Sequence, residues 1–213
     1  MQKLNFRQRV LKTLYPFLLQ VTKLLSKNAK IETNENRTLP PMSLYDLSIT
    51  LNNGGVLPLA SLEGKKILIV NSASNCGYTA QYAELQKLYE MSKDHLEIIG
   101  VPANDFKEQE KGNDDEIARF CSVNFGVTFP LAKKSVVIKS PHQNPVFKWL
   151  SDKNLNGWND KPPAWNFSKY MVNENGVLTH YFESSVSPFS EEVLNAVGMD
   201  QVALKRPDPF QAT

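Results

Sequence analysis

Two cysteines, Cys76 and Cys121, are the most reactive side chains in this sequence of 213 residues. Cys76 sits in Asn71-Ser72-Ala73-Ser74-Asn75-Cys76-Gly77-Tyr78-Thr79. That small, polar loop follows a β-branched run at residues 66–71 and precedes helical spacing at residues 80–92. A cysteine so placed lies at the carboxyl end of a strand, where open parallel sheets meet their ligands. The positive end of the following helix, with its unpaired amides, would favour the nucleophilic thiolate. The competing fate is a buried, inert thiol. Cys121 adjoins Phe120 in an apolar helical pattern, where a cysteine is often plain core. No Cys/His cluster has zinc spacing, and two cysteines build no disulfide framework. His95, His142 and His180 are scattered, and Trp149 and Trp158 read as packing.

The elements around Cys76 follow from local pattern. Residues 45–51 and 56–59 flank Asn52-Asn53-Gly54-Gly55 and predict an N-terminal hairpin. Residues 66–71 and 96–101 are apolar runs of strands buried on both faces. The helix between them makes a right-handed parallel crossover. Asn113, followed by Asp114, Asp115 and Glu116, starts a helix through Cys121. Residues 135–138 read as a third strand and residues 144–150 as a short helix. Asn173-Glu174-Asn175-Gly176 joins a hairpin, and Ser190 caps a last helix. The sum is an α/β domain with a mixed sheet covered by helices on both faces. It begins βαβ, ends ββα, and matches the thioredoxin-like arrangement with an extra N-terminal β-hairpin.

Charge divides the chain. Residues 1–30 carry seven bases and no acid, with Leu11, Leu14, Leu18, Val21 and Leu25 at helical spacing. This leader suits an amphipathic helix on an anionic membrane, a degenerate secretory signal, or a helix packed on a protein. Residues 31–42 are polar, end in Pro40-Pro41-Met42, and read as a linker. The domain is expected over residues 43–203, with a frayed tail at 204–213. Apart from its leader the chain is mildly acidic, which gives no footprint for nucleic acid. No uncharged apolar run is long enough to span a bilayer.

Three segments in order resemble the glutathione peroxidase family. The Cys76 loop resembles the family's active-site segment and puts Cys76 at the peroxidatic position. Residues 101–110 (Val-Pro-Ala-Asn-Asp-Phe-Lys-Glu-Gln-Glu) resemble its second motif, with Gln109 at the catalytic glutamine. Residues 164–170 (Ala-Trp-Asn-Phe-Ser-Lys-Tyr) resemble its third, with Trp165 and Asn166 at the other two catalytic positions. The region around Cys121 is similar to the segment carrying the resolving cysteine of thioredoxin-dependent members. The resemblance implies reduction of hydrogen peroxide and organic or lipid hydroperoxides. Cys76 would become a sulfenic acid, Cys121 would convert it to a disulfide, and thioredoxin or glutathione would reopen it.

No bound cofactor or metal is implied, only the external reductant. Donors from Gln109, Trp165 and Asn166 could favour the thiolate and stabilise the departing oxygen. Ala103, Asp105 and Lys111 depart from the second motif. The short stretch between Lys139 and Trp165 resembles monomeric members. No clear basic set for glutathione appears, although Lys133, Lys134 and Lys161 could contribute. A redox sensor that relays Cys76 oxidation and a non-enzymatic thioredoxin-like scaffold are the other readings. The expected location is cytoplasmic, with the leader allowing membrane association, or else export to the periplasm or an organelle.

Overall fold

The structure, a computed structural model, describes residues 31–199. The leader, the tail at 204–213 and the last residues of the expected domain lie outside them. Strands β1 (Ile31–Thr33), β4 (Lys66–Ser72), β5 (Leu96–Pro102), β6 (Lys169–Val172) and β7 (Leu178–Phe182) form one mixed sheet. Its order is β1-β7-β6-β4-β5, with β4 and β5 parallel and the other pairs antiparallel. Strands β2 (Ser48–Thr50) and β3 (Val56–Pro58) make the separate N-terminal hairpin. The helices are α1 (Gln81–Ser92), α2 (Asp114–Phe125), α3 (Pro145–Leu150), α4 (Lys153–Asn156) and α5 (Glu191–Val197).

The alternation within β4 and β5 explains why both faces are covered. Ile67, Ile69, Ile99 and Val101 join a core with the hairpin and with Phe147, Trp149 and Leu150 of α3. Leu68, Val70, Leu96 and Ile98 join a second core with α1, α2 and α5. Successive strand side chains point to opposite faces, so each strand feeds both layers. In β5, Gly100 lets Leu131 and Phe129 close in, since a Cβ there would stand 2.8 Å from Leu131 Cδ2.

Three expectations change. Residues 31–33 are not linker: they pair with β7, and Ile31 packs on the second core. The polar composition hid a strand whose partner is distant in sequence. Tyr45 and Asp46, expected to start the first hairpin strand, lie in a 3-10 turn (Leu44–Asp46), where Ser43 Oγ accepts the Tyr45 N–H. Residues 135–138 form no strand, only one bridge from Val136 to Gln143. Ser135 N–H still bonds to Pro102 O at the end of β5, but the Val137 N–H is drawn off to the Asp105 carboxylate, so no ladder continues. Beside β5, the chain at Leu131 and Ala132 bonds to Gly100 instead.

Candidate active site

The Cys76 loop leaves the carboxyl end of β4 and enters α1 through a series of tight turns. Thr79 N–H bonds to Cys76 O, Gln81 N–H to Tyr78 O and Tyr82 N–H to Thr79 O. Thr79 Oγ1 accepts the Cys76 N–H at 2.9 Å and donates to Ala73 O at 3.0 Å. This winding leaves the Tyr78 N–H aimed at Cys76 Sγ, 3.5 Å away. It is the one hydrogen bond to that sulfur among the described residues. Cys76 is half-buried and free, on the rim of the second core.

Two other loops close on this one. Asn75 N–H donates to Gln109 O at 3.1 Å, and the buried Glu110 carboxylate accepts both Ser74 N–H and Ser74 Oγ–H. Burial raises the Glu110 pKa even against those two donors. Lys107 and Glu108 each take φ of +51°, unusual for side chains with a Cβ, so the loop makes a tight turn before Gln109. The third loop hangs from β4: Asn71 Nδ2 donates to Trp165 O at 3.1 Å, and Phe167 N–H to Asn71 O at 2.6 Å.

Asn166 and Gln109 meet directly. The fully buried Asn166 donates from Nδ2 to Gln109 Oε1 at 2.9 Å. That bond occupies the oxygen of the Gln109 amide and leaves its Nε2 without a partner among the described residues. Trp165 is half-buried, with its ring 5.5 Å from Phe106 and the Lys107 ammonium 5.7 Å above it. It lines a cavity of about 410 Å³ with Tyr78 and Ser184. Its indole N–H is likewise uncommitted among the described residues. Trp149 and Trp158 differ, since they donate to Met42 O and Leu178 O at 2.8 Å. Those two are packing residues, as their sequence context predicts.

Cys121 is placed otherwise. It is fully buried on the inner face of α2, and burial pushes its thiol up to about 11. The departures from the second motif sort themselves. Asp105 ties Val137 to the loop, Ala103 is buried, and Lys111 makes only an exposed pair with Glu108 at 3.4 Å. Sequence reasoning passed over Thr79 and Glu110, which shape the Cys76 loop. A Ser/Thr three residues past a loop cysteine is a local signal that could have exposed Thr79.

Residues 44–151 match the glutathione peroxidase family profile, a stretch that holds Cys76, Gln109 and Cys121. Glutathione peroxidase-like peroxiredoxin GPX5 of Chlamydomonas reinhardtii is 44% identical over 158 residues, spanning 71% of this chain and 96% of the relative. The chain belongs to the glutathione peroxidase family. It is a peroxidase with a thioredoxin-like fold. Glutathione peroxidase-like peroxiredoxin HYR1 of Saccharomyces cerevisiae is 40% identical over 159 residues, spanning 72% of this chain and 97% of the relative. The apo crystal structure of Trgpx superposes with a TM-score of 0.56 at 27% identity, over 75% of this chain and 97% of that one. No group of three or more metal-ligating side chains occurs among the described residues.

Proposed function

We propose that Cys76 is the peroxidatic nucleophile of a two-cysteine cycle and that Gln109, Trp165 and Asn166 serve it. The observation that carries this is a pair of unspent donors, Gln109 Nε2 and Trp165 Nε1, on loops tied to the ends of the Cys76 loop. The Cys76 thiolate attacks the nearer peroxide oxygen. The O–O bond breaks, Cys76 becomes a sulfenic acid, and the alkoxide leaves and takes a proton from water. The free donors stabilise charge on that departing oxygen. Cys121 then attacks the sulfenic sulfur as its thiolate. A disulfide forms, and the sulfenic hydroxyl leaves with the thiol proton as water. An external dithiol reopens the bridge by exchange.

A thioredoxin-type dithiol fits better than glutathione. Lys134 Nζ is spent on the carbonyls of Glu110 and Gly112, and Lys161 is paired with Glu32. Neither is free to grip the carboxylates of glutathione. The test is peroxide-dependent NADPH consumption with thioredoxin and its reductase. Turnover is expected from the full chain and a loss of roughly 10³-fold or more from Cys76→Ser. Equal turnover by that variant would overturn the assignment.

The leader supports a place for this chemistry. Ile31 pairs with Phe182, Phe182 with Lys169, and Lys169 with Val70, so Ile31 stands at the end of the sheet from which the Cys76 loop leaves. The basic, leucine-striped residues 1–30 would bring that end to an anionic bilayer holding lipid hydroperoxides. The full chain should float with anionic vesicles and the chain lacking residues 1–30 should not; equal behaviour would remove the membrane role.

A further inference from the structure

A lysine sits inside the protein directly behind the turn that carries Trp165 and Asn166. Lys169, the first residue of β6, is fully buried. Its register partners are Val70 and Phe182, both members of the core beneath α1, α2 and α5. The amine folds back and donates to Phe167 O at 2.7 Å, the one partner of that carbonyl among the described residues. Phe167 takes φ of +69°, in the left-handed region where a residue with a Cβ needs outside support. Ser168 N–H and Oγ–H both bond to Trp165 O, at 3.3 and 2.9 Å. The whole turn from Trp165 to Ser168 is thus pinned at its ends, and its middle carbonyl is held by Lys169.

The cost of this arrangement speaks for a role beyond stability. A buried ammonium with one carbonyl partner is poorly compensated, and an apolar side chain of similar length would serve a core better. Its charged neighbour is Glu84 on α1, itself buried and accepting a hydrogen bond from Ser187 Oγ at 2.7 Å. Burial pulls the Lys169 pKa down to about 7, against the attraction of Glu84. Lys66 of β4 is spent on the carbonyls of Ala196 and Val197, and three groups on the packed elements are held neutral. Burial keeps Tyr82 of α1 and Cys121 of α2 protonated, while burial and Lys66 lower the pKa of His180 on β7.

We propose that Lys169 is a positioning residue of the peroxidatic site, whose amine ties down the Phe167 carbonyl and so fixes the turn that presents Trp165 and Asn166 to Cys76. This rests on the peroxidatic role of Cys76. The charged amine is the stronger donor, so its hold on the carbonyl weakens as it loses its proton. The peroxide reaction therefore carries a component that falls as pH rises through the neutral range. Direct alkylation of Cys76 lacks that component, because the Tyr78 amide touching the sulfur is untouched.

The experiment compares the full chain with Lys169→Met, Lys169→Arg and Glu84→Gln between pH 6 and 9. Two rates are read in each, the single-turnover reaction with hydrogen peroxide and the alkylation of Cys76 by iodoacetamide. At pH 6.5 Lys169→Met should lose roughly tenfold or more in the peroxide rate and far less in alkylation. Lys169→Arg, which keeps a charged donor at every pH, should recover most of that loss and show no fall above neutrality. Glu84→Gln keeps the volume of its side chain but removes the charge favouring the ammonium, so the falling limb should move to lower pH. A Lys169→Met chain that reacts with peroxide as fast as the unaltered chain overturns the proposal. So does a Glu84→Gln chain with an unshifted profile, and this variant decides if Lys169→Met does not fold. An unaltered chain that fails to react with peroxide would instead refute the peroxidatic role of Cys76.

Discussion

The two sulfurs occupy opposite environments within one core. Cys76 lies half-exposed in a loop whose geometry is set by main chain, with the Tyr78 amide on its sulfur and Thr79 on its own amide. Cys121 is carried by a helix, has no exposed surface, and is held as a thiol by burial. The first is ready to react as it stands. The second is withheld, so the proposed cycle requires a conformational step to bring it out. In that cycle, burial would shield Cys121 from peroxide until Cys76 is oxidised, at the expense of a slower second step. The helix that withholds it has two buried residues, Ile117 and Cys121, with Phe120 and Phe125 half-buried against the same core and Val123 62% exposed. Helices with few buried contacts open locally at low free energy.

The largest effect that tests this contrast comes from Cys121→Ser. The first reaction with peroxide should proceed at an unchanged rate, since Cys121 takes no part in it. Thioredoxin-supported cycling should then fall by roughly a hundredfold or more, with a sulfenic acid persisting on Cys76 in mass spectra. Unimpaired cycling would mean that an external thiol reaches Cys76 directly and that the buried sulfur is only core. Next in size is Ile117→Ala. Truncating the other fully buried side chain of α2 should lower stability by about 2–4 kcal/mol. If release of Cys121 requires α2 to open, the same change should speed Cys76–Cys121 disulfide formation at least roughly tenfold. Lower stability with an unchanged rate of disulfide formation would show that the two sulfurs meet without opening of the helix.

The same contrast marks how far the sequence could be read. The Cys76 loop was legible because its determinants are contiguous: an apolar run, a small polar loop and a helical stripe. The start of α2 was legible for the same reason, since Asn113 and Glu116 form a reciprocal cap. Asn173 to Gly176 likewise made the turn that its composition announces. What escaped depends on distant partners. β1 exists because β7 offers it an edge, and residues 135–138 do not extend as a strand because the Val137 N–H goes to the Asp105 carboxylate. In sequence Lys169 is an ordinary charged residue just ahead of a strand. Only packing reveals that it points inward. Family resemblance supplied Gln109, Trp165 and Asn166, and the free donor ends of the first two emerge only from the hydrogen-bond pattern.

The smallest effect concerns pH and isolates the withheld sulfur. Burial raises the Cys121 pKa from 9.0 to about 11. Between those values the unfolded chain has already given up the proton that the folded chain keeps. The unfolded chain then binds fewer protons, so stability falls as pH rises through this window and is fully present below it. The contribution at stake is at most about 2–3 kcal/mol. Tyr82 and Lys169 also titrate differently in the folded state, so the total slope is not diagnostic. The difference between the unaltered chain and Cys121→Ala is. Both chains keep those other groups, and the melting midpoint of the unaltered chain should drop more steeply from pH 9 to 11. Parallel curves would show that Cys121 meets solvent as freely in the fold as in the unfolded chain, and the contrast between a ready and a withheld sulfur would lose its basis.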